Sequence, residues 1–152
     1  MKKIAFILIA TIAFIGCSPK VDTKSQVGLK GNWQISSVDY TGSNMFNIKS
    51  FQIADAKCFE GSTWKFVSNN NSGTMALTKA GCPSVEGNFK WTITPNQEFT
   101  LKFVGEGDKA KHVTAGFRLQ VRNQNENYFQ LVDNVNIGGK QTEVVYTFNK
   151  VN

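Results

Sequence analysis

The chain has a single histidine, only three prolines and little charge: Asp, Glu, Lys and Arg together make 18% of its 152 residues. With His112 alone there is no imidazole cluster for a zinc site and no H-E-x-x-H helix. G-x-S-x-G, the turn that exposes a nucleophilic serine, is missing, as is a glycine-rich phosphate loop after a strand. No C-x-x-C is present, which excludes the usual dithiol redox and zinc-ribbon arrangements. His112 follows the polar stretch 105–111, and Glu106 and Asp108 beside it read as a solvated hairpin rather than a metal site. Glu60, Glu86, Glu98, Glu126 and Glu143 are dispersed, so no carboxylate pair is laid out for acid–base work. No catalytic residue, cofactor or metal is therefore assigned, and an enzyme is not expected. Nor does any window repeat its apolar residues every 3.6 positions, which argues against a helical domain.

The longest apolar run, Ile4 to Gly16, is too short for the roughly 20 residues of a spanning helix. Lys2 and Lys3 precede it, and a small residue ends it, the layout of a secretory signal peptide. Cys17 follows directly. The tetrapeptide Phe14-Ile15-Gly16-Cys17 resembles a bacterial lipobox, with Phe14 where leucine is usual. The resemblance implies cleavage after residue 16 and a diacylglyceryl thioether with palmitate-type acyl chains on Cys17. Ser18, where an acidic residue would signal retention in the inner membrane, implies the outer membrane and a periplasm-facing domain. The expected organisation is a signal peptide (1–16), lipidated Cys17 with a tether (17–28), and one domain (29–152). Ser18 to Gly28 is polar and aperiodic, so a flexible tether with a reach below roughly 40 Å is expected. Cleavage removes two lysines and no acid, lowering the formal charge from +6 to +4. The remaining Lys and Arg are scattered, and no nucleic-acid partner is expected.

Three cysteines leave one over in a secreted chain, and lipidation of Cys17 accounts for it. Cys58 and Cys82 then pair in an oxidising compartment, closing a loop worth roughly 3–4 kcal/mol in the chain-entropy account.

After the tether the apolar pattern has period two almost throughout. Eight strands are predicted, at 32–40, 62–68, 73–78, 87–94, 98–104, 114–122, 127–135 and 142–150. Turn signals such as Asn69–Gly73, Pro95-Asn96-Gln97 and Gly138-Gly139 separate them. Each strand has one apolar and one polar face, so a meander of eight either closes into a barrel or folds into a sandwich. Closure removes the exposed edges and is the expected solution. The long connection from Tyr40 to Gly61 predicts a short helix or lid tied down by Cys58.

Gly31-Asn32-Trp33 at the first strand resembles the G-x-W signature of lipocalins. With Leu29, Cys58, Trp64, Phe66, Cys82, Gly87, Phe89, Trp91, Tyr146, Phe148 and Lys150, the chain is similar to the lipocalin-like lipoproteins of the Bacteroidetes over roughly residues 29–151. A META-type domain also opens with Leu-x-Gly-x-Trp, but eight strands fit the lipocalin-like pattern better. The resemblance implies an all-β, eight-stranded, up-and-down barrel in which Gly31 and Trp33 are structural, Trp33 plugging the closed end. Many lipocalins set a late arginine against that tryptophan; near its end this chain has Lys150.

The family implies a cup holding a small apolar molecule. The inward set is Trp64, Phe66, Phe89, Trp91, Phe99, Phe103, Phe117, Phe129, Tyr146 and Phe148. These rings serve two arrangements, an open ligand pocket or a filled core. Two functions follow: carriage of an apolar ligand, or action through the outer surface as an envelope inhibitor or adaptor. Lipidation has a direct test. Cys17→Ser is expected to move the protein from the membrane fraction to the soluble fraction on envelope fractionation.

Overall fold

The computed structural model describes residues 21–41, 47–105, 107, 109 and 113–152. The expected signal peptide (1–16), Cys17, Glu106, Asp108 and His112 lie outside the described residues. A short helix, α1 (Thr23–Gly28), comes first, then β1 (Gly31–Tyr40). A minor hairpin follows, β2 (Lys49–Ser50) and β3 (Ala54–Asp55), with a 3₁₀ turn at Ala56–Phe59. The remaining strands are β4 (Thr63–Val67), β5 (Ser72–Leu77), β6 (Val85–Ile93), β7 (Glu98–Val104), β8 (Phe117–Arg122), β9 (Tyr128–Ile137) and β10 (Lys140–Val151).

The predicted meander closes. Leaving out the β2–β3 hairpin, neighbours in sequence pair antiparallel, and β1 seals the ring by pairing β4 on one side and β10 on the other. Closure leaves the barrel no free edge strand. Alternation places the apolar face inward: in β10, Val144, Tyr146 and Phe148 are buried while Val145 and Thr147 are half-exposed. A register shift between Ile35 and Ser37 interrupts the β1–β10 ladder just past Gln34, the last residue of β1 paired with β4. Long strands of β-branched and aromatic residues keep this pleated, half-buried surface.

Two segments outside the wall close its ends. The stretch expected as a flexible tether is ordered from Asp22 onward. Six residues cannot sustain a helix alone, but tertiary contacts hold this one. Asp22 caps it by accepting from the Ser25 N–H at 3.3 Å, and the Asp22 N–H donates to the Ile93 carbonyl at 2.7 Å. Gln26, buried, donates to Asn71 and accepts from the Ile93 N–H, and Gln124 donates to the Ser25 carbonyl at 2.8 Å. These partners are far apart in sequence, which is why composition alone reads the segment as loop. At the opposite end, the β2–β3 hairpin and the 3₁₀ turn cover the mouth. The Cys58–Cys82 disulfide (S–S 2.01 Å) fastens that turn to the β5–β6 connection.

One glycine is fixed by close packing. A Cβ on Gly73 would run into the Phe89 ring and approach the Lys65 carbonyl to 2.5 Å, whereas a Cβ on Gly87 would make ordinary contacts with Phe103 and Met75. Gly73→Ala is expected to destabilise the barrel by about 1–3 kcal/mol and Gly87→Ala to be far milder, as read by chemical denaturation.

Candidate ligand site in the barrel

All ten residues predicted to face inward do so, from six different strands. They form two tiers. The deep tier, toward α1, joins Phe66, Trp91, Phe99, Phe129 and Phe148 to Trp33. Phe129 and Phe148, directly paired across β9 and β10, stack with centroids 4.4 Å apart. Trp33 meets Phe129 edge-on at 4.7 Å, and its indole N–H donates to the Leu29 carbonyl at 2.8 Å. The Lys150 ammonium lies 5.4 Å from the Trp33 ring centroid, a cation–π contact in place of the arginine that the resemblance implied. Each such ring pair adds roughly 0.5–1.5 kcal/mol beyond its burial.

The upper tier consists of Trp64, Phe103, Phe117 and Tyr146, with Phe89 between the tiers. Phe103 and Phe117 are only partly buried. At the centre of this tier is a ring the sequence did not flag. Phe51, from the β2–β3 turn, is 6% exposed and meets Phe59 at 5.2 Å, Phe117 and Tyr146 at 5.3 Å, Phe103 at 6.1 Å and Trp64 at 6.4 Å. The mouth is thus plugged by a side chain from outside the wall.

The plug has an unusual backbone. Phe51 and Gln52 both have positive φ (52° and 59°), and the Ile53 N–H closes the turn on the Ser50 carbonyl at 3.0 Å. Turns of this shape favour Asn-Gly, and a bulky residue there costs on the order of 1–3 kcal/mol. Burying a phenylalanine side chain returns a similar amount, about 1.5–3 kcal/mol. Two strands of two residues each add little. The plug is therefore held by a narrow margin. No turn signal marks Phe51-Gln52, which is why periodicity missed it.

Polar groups ring the plug. The hydroxyls of buried Ser50 and Tyr146 hydrogen-bond each other. Burial pushes the Tyr146 phenol well above the usual tyrosine range, so it stays neutral. Burial likewise raises the Asp133 carboxyl, against the pull of the Asn134 N–H. Tyr40 is pushed up to about 12, first by burial and then by Asp55 and Glu60. The Lys57 ammonium sits 5.3 Å from the Tyr40 ring centroid.

Glu60 is the hub that holds the 3₁₀ turn in place. It accepts from Lys79 at 2.9 Å, from Lys57 at 3.0 Å and from the Val38 N–H at 3.2 Å. Lys57 in turn donates to the Val38 carbonyl, tying the turn to β1.

The model of the lipocalin-like domain family matches residues 29–131, more than half of the chain. The chain belongs to that family. The lipocalin-like barrel is similar to a solved lipocalin-like protein from Bacteroides uniformis, 13% identical, with a TM-score of 0.49 over 82% of this chain and 99% of that one. It is similar also to bovine odorant-binding protein from nasal mucosa, 12% identical, with a TM-score of 0.46 over 82% and 72%. A deswapped triple mutant of the bovine protein matches at 12% identity and a TM-score of 0.44, over 82% and 74%. No curated protein matches the chain.

Burial alone would raise the Glu60 carboxyl, but Lys79, Lys57 and the Val38 N–H outweigh it and hold the carboxyl at about 2, against an ordinary 4.5. A depressed folded-state value contributes stability above the unfolded value, and that stability is lost as pH falls through the folded value. Glu60→Gln is expected to lower the denaturation midpoint near neutral pH. The gap to the natural protein should shrink between pH 4.5 and 2 and vanish below it.

Proposed function

We propose that this protein is a lipid-anchored lipoprotein of the bacterial outer membrane, facing the periplasm, whose lipocalin-like barrel binds a small apolar molecule without catalysing a reaction. The observation that carries the binding reading is the plug. Phe51 is not part of the wall, yet its ring occupies the upper tier and touches Phe103, Phe117, Trp64 and Tyr146. A strained turn holds it by a small net margin, so a ligand of comparable size can take its place for little cost. The displaced hairpin stays attached through Cys58. Ser50 and Tyr146, released from each other, become one or two hydrogen-bonding groups in an otherwise apolar site, the usual composition of a small-molecule pocket. Ligand-lining roles fall to Trp64, Phe89, Phe103, Phe117 and Tyr146, while Phe66, Trp91, Phe99, Phe129 and Phe148 form the floor. The basic leader, the apolar run and Cys17 support the anchor.

A second reading has its own support. Rings meet from Trp33 up to Phe51, as expected of a filled core, and a filled barrel acts only through its outside. Truncating the plug separates the two. Phe51→Ala is expected to bind an apolar fluorescent probe at least tenfold more tightly than the natural protein, with a stability loss no larger than the roughly 1.5–3 kcal/mol that burial of the ring returns. Native mass spectrometry of the protein purified from its envelope should then show a co-purifying apolar ligand. No probe uptake by the folded variant, with no retained ligand, would favour the outer surface.

A further inference from the structure

The two ends of the barrel differ in surface chemistry. Among the described residues, the exposed large apolar side chains are Val21 (42%), Val27 (55%) and Val151 (36%), all at the α1 end. Val27 borders a groove of about 840 Å³ together with Lys24, Lys150, Gln124 and Asn152. Lys30, exposed, follows α1 directly. Lys24, Lys30 and Lys150 take no part in the ion pairs among the described residues. Of the acids here, Glu98 pairs with Arg118, which leaves Asp22 and Glu126 against the three lysines. The α1 end thus carries excess positive charge beside apolar prongs. At the mouth, Glu60 pairs with both Lys57 and Lys79, and Asp39, Asp55 and Asp133 balance the remaining charge with exposed Lys49 and Lys140.

Chain length adds a second constraint, which rests on the lipidation of Cys17 proposed above. Asp22 is fixed to the wall by its hydrogen bond to Ile93. Only Ser18 to Val21 remain between the lipidated residue and that point. The five steps from Cys17 to Asp22 reach at most about 18 Å. The headgroup layer of one leaflet is about 5–8 Å thick, whereas the twelve residues of β10 extend about 40 Å. The anchor therefore keeps the α1 end beside the bilayer, and a barrel standing on that end holds its mouth far from it.

We propose that the α1 end is a membrane-docking face: Val21 and Val27 enter the headgroup layer, Lys24, Lys30 and Lys150 meet the phosphates of anionic lipids, and the plugged mouth points away from the bilayer. A lysine near such a surface strengthens attachment on the order of fivefold. The attraction weakens as salt screens it.

Hydrogen exchange on the lipidated protein, purified and placed in vesicles with or without phosphatidylglycerol, tests this. In anionic vesicles the amides of α1 and of the turns 94–97 and 123–127 are expected to exchange several-fold more slowly than in phosphatidylcholine vesicles. Exchange at Gly138-Gly139 should not change, and high salt should reverse the slowing. The double variant Lys24→Glu, Lys30→Glu should remain anchored but lose the effect. Slowing at the mouth, equal slowing in neutral and anionic vesicles, or none at all overturns the proposal. So does protection that appears only with envelope extract, which identifies a protein as the occupant. If intact mass shows no lipid on Cys17 and the protein does not float with vesicles, the anchor reading has failed, an outcome distinct from an anchored protein with an unprotected α1 end.

Discussion

Ring-on-ring packing along the barrel axis is the constraint on which the rest of the molecule depends. Phe66 alone meets Phe89, Trp91, Phe99, Phe129 and Phe148 at centroid distances of 5.1–6.2 Å, so one side chain of β4 locks residues from β6, β7, β9 and β10. A one-residue slip in any of these strands would turn its rings to water and its polar side chains inward. Register, closure and the tight seat of Gly73 beneath Phe89 all follow from that demand.

The two ends meet the same demand differently. At the α1 end a fully buried tryptophan is sealed by a backbone acceptor and a lysine over its face, and polar side chains from three turns fasten a helix too short to stand alone. At the mouth the seal is a phenylalanine borrowed from a small hairpin, in a backbone conformation that offsets much of its burial. The first end is rigid for physical reasons, and the second sits near the margin where binding sites are usually found. The two contacts proposed, an apolar ligand at the mouth and a lipid surface at the α1 end, would use opposite poles of one barrel, so neither would obstruct the other.

The eight strands were legible because period-two alternation reports a single buried face, and their predicted limits fall within a few residues of those observed. The inward rings were legible for the same reason, and the disulfide because the lipobox resemblance assigns Cys17 elsewhere and leaves Cys58 and Cys82 as a pair. Residues 22–28 and Phe51 were not. Helix α1 has no apolar period of its own and exists through contacts to Asn71, Ile93, Gln97 and Gln124. Phe51 sits in a turn without glycine or asparagine, and nothing local announces that its ring will enter the barrel.

The sequence by itself determined the class of fold, the face each wall residue presents and the pairing of Cys58 with Cys82, because these depend on local alternation and on counting. Tertiary structure alone decided that the cup is closed by its own phenylalanine, that Lys150 lies over Trp33, and that Asp22 is bound to the barrel wall. Each of these is a meeting of residues dozens of positions apart. Only the closed barrel brings them within reach.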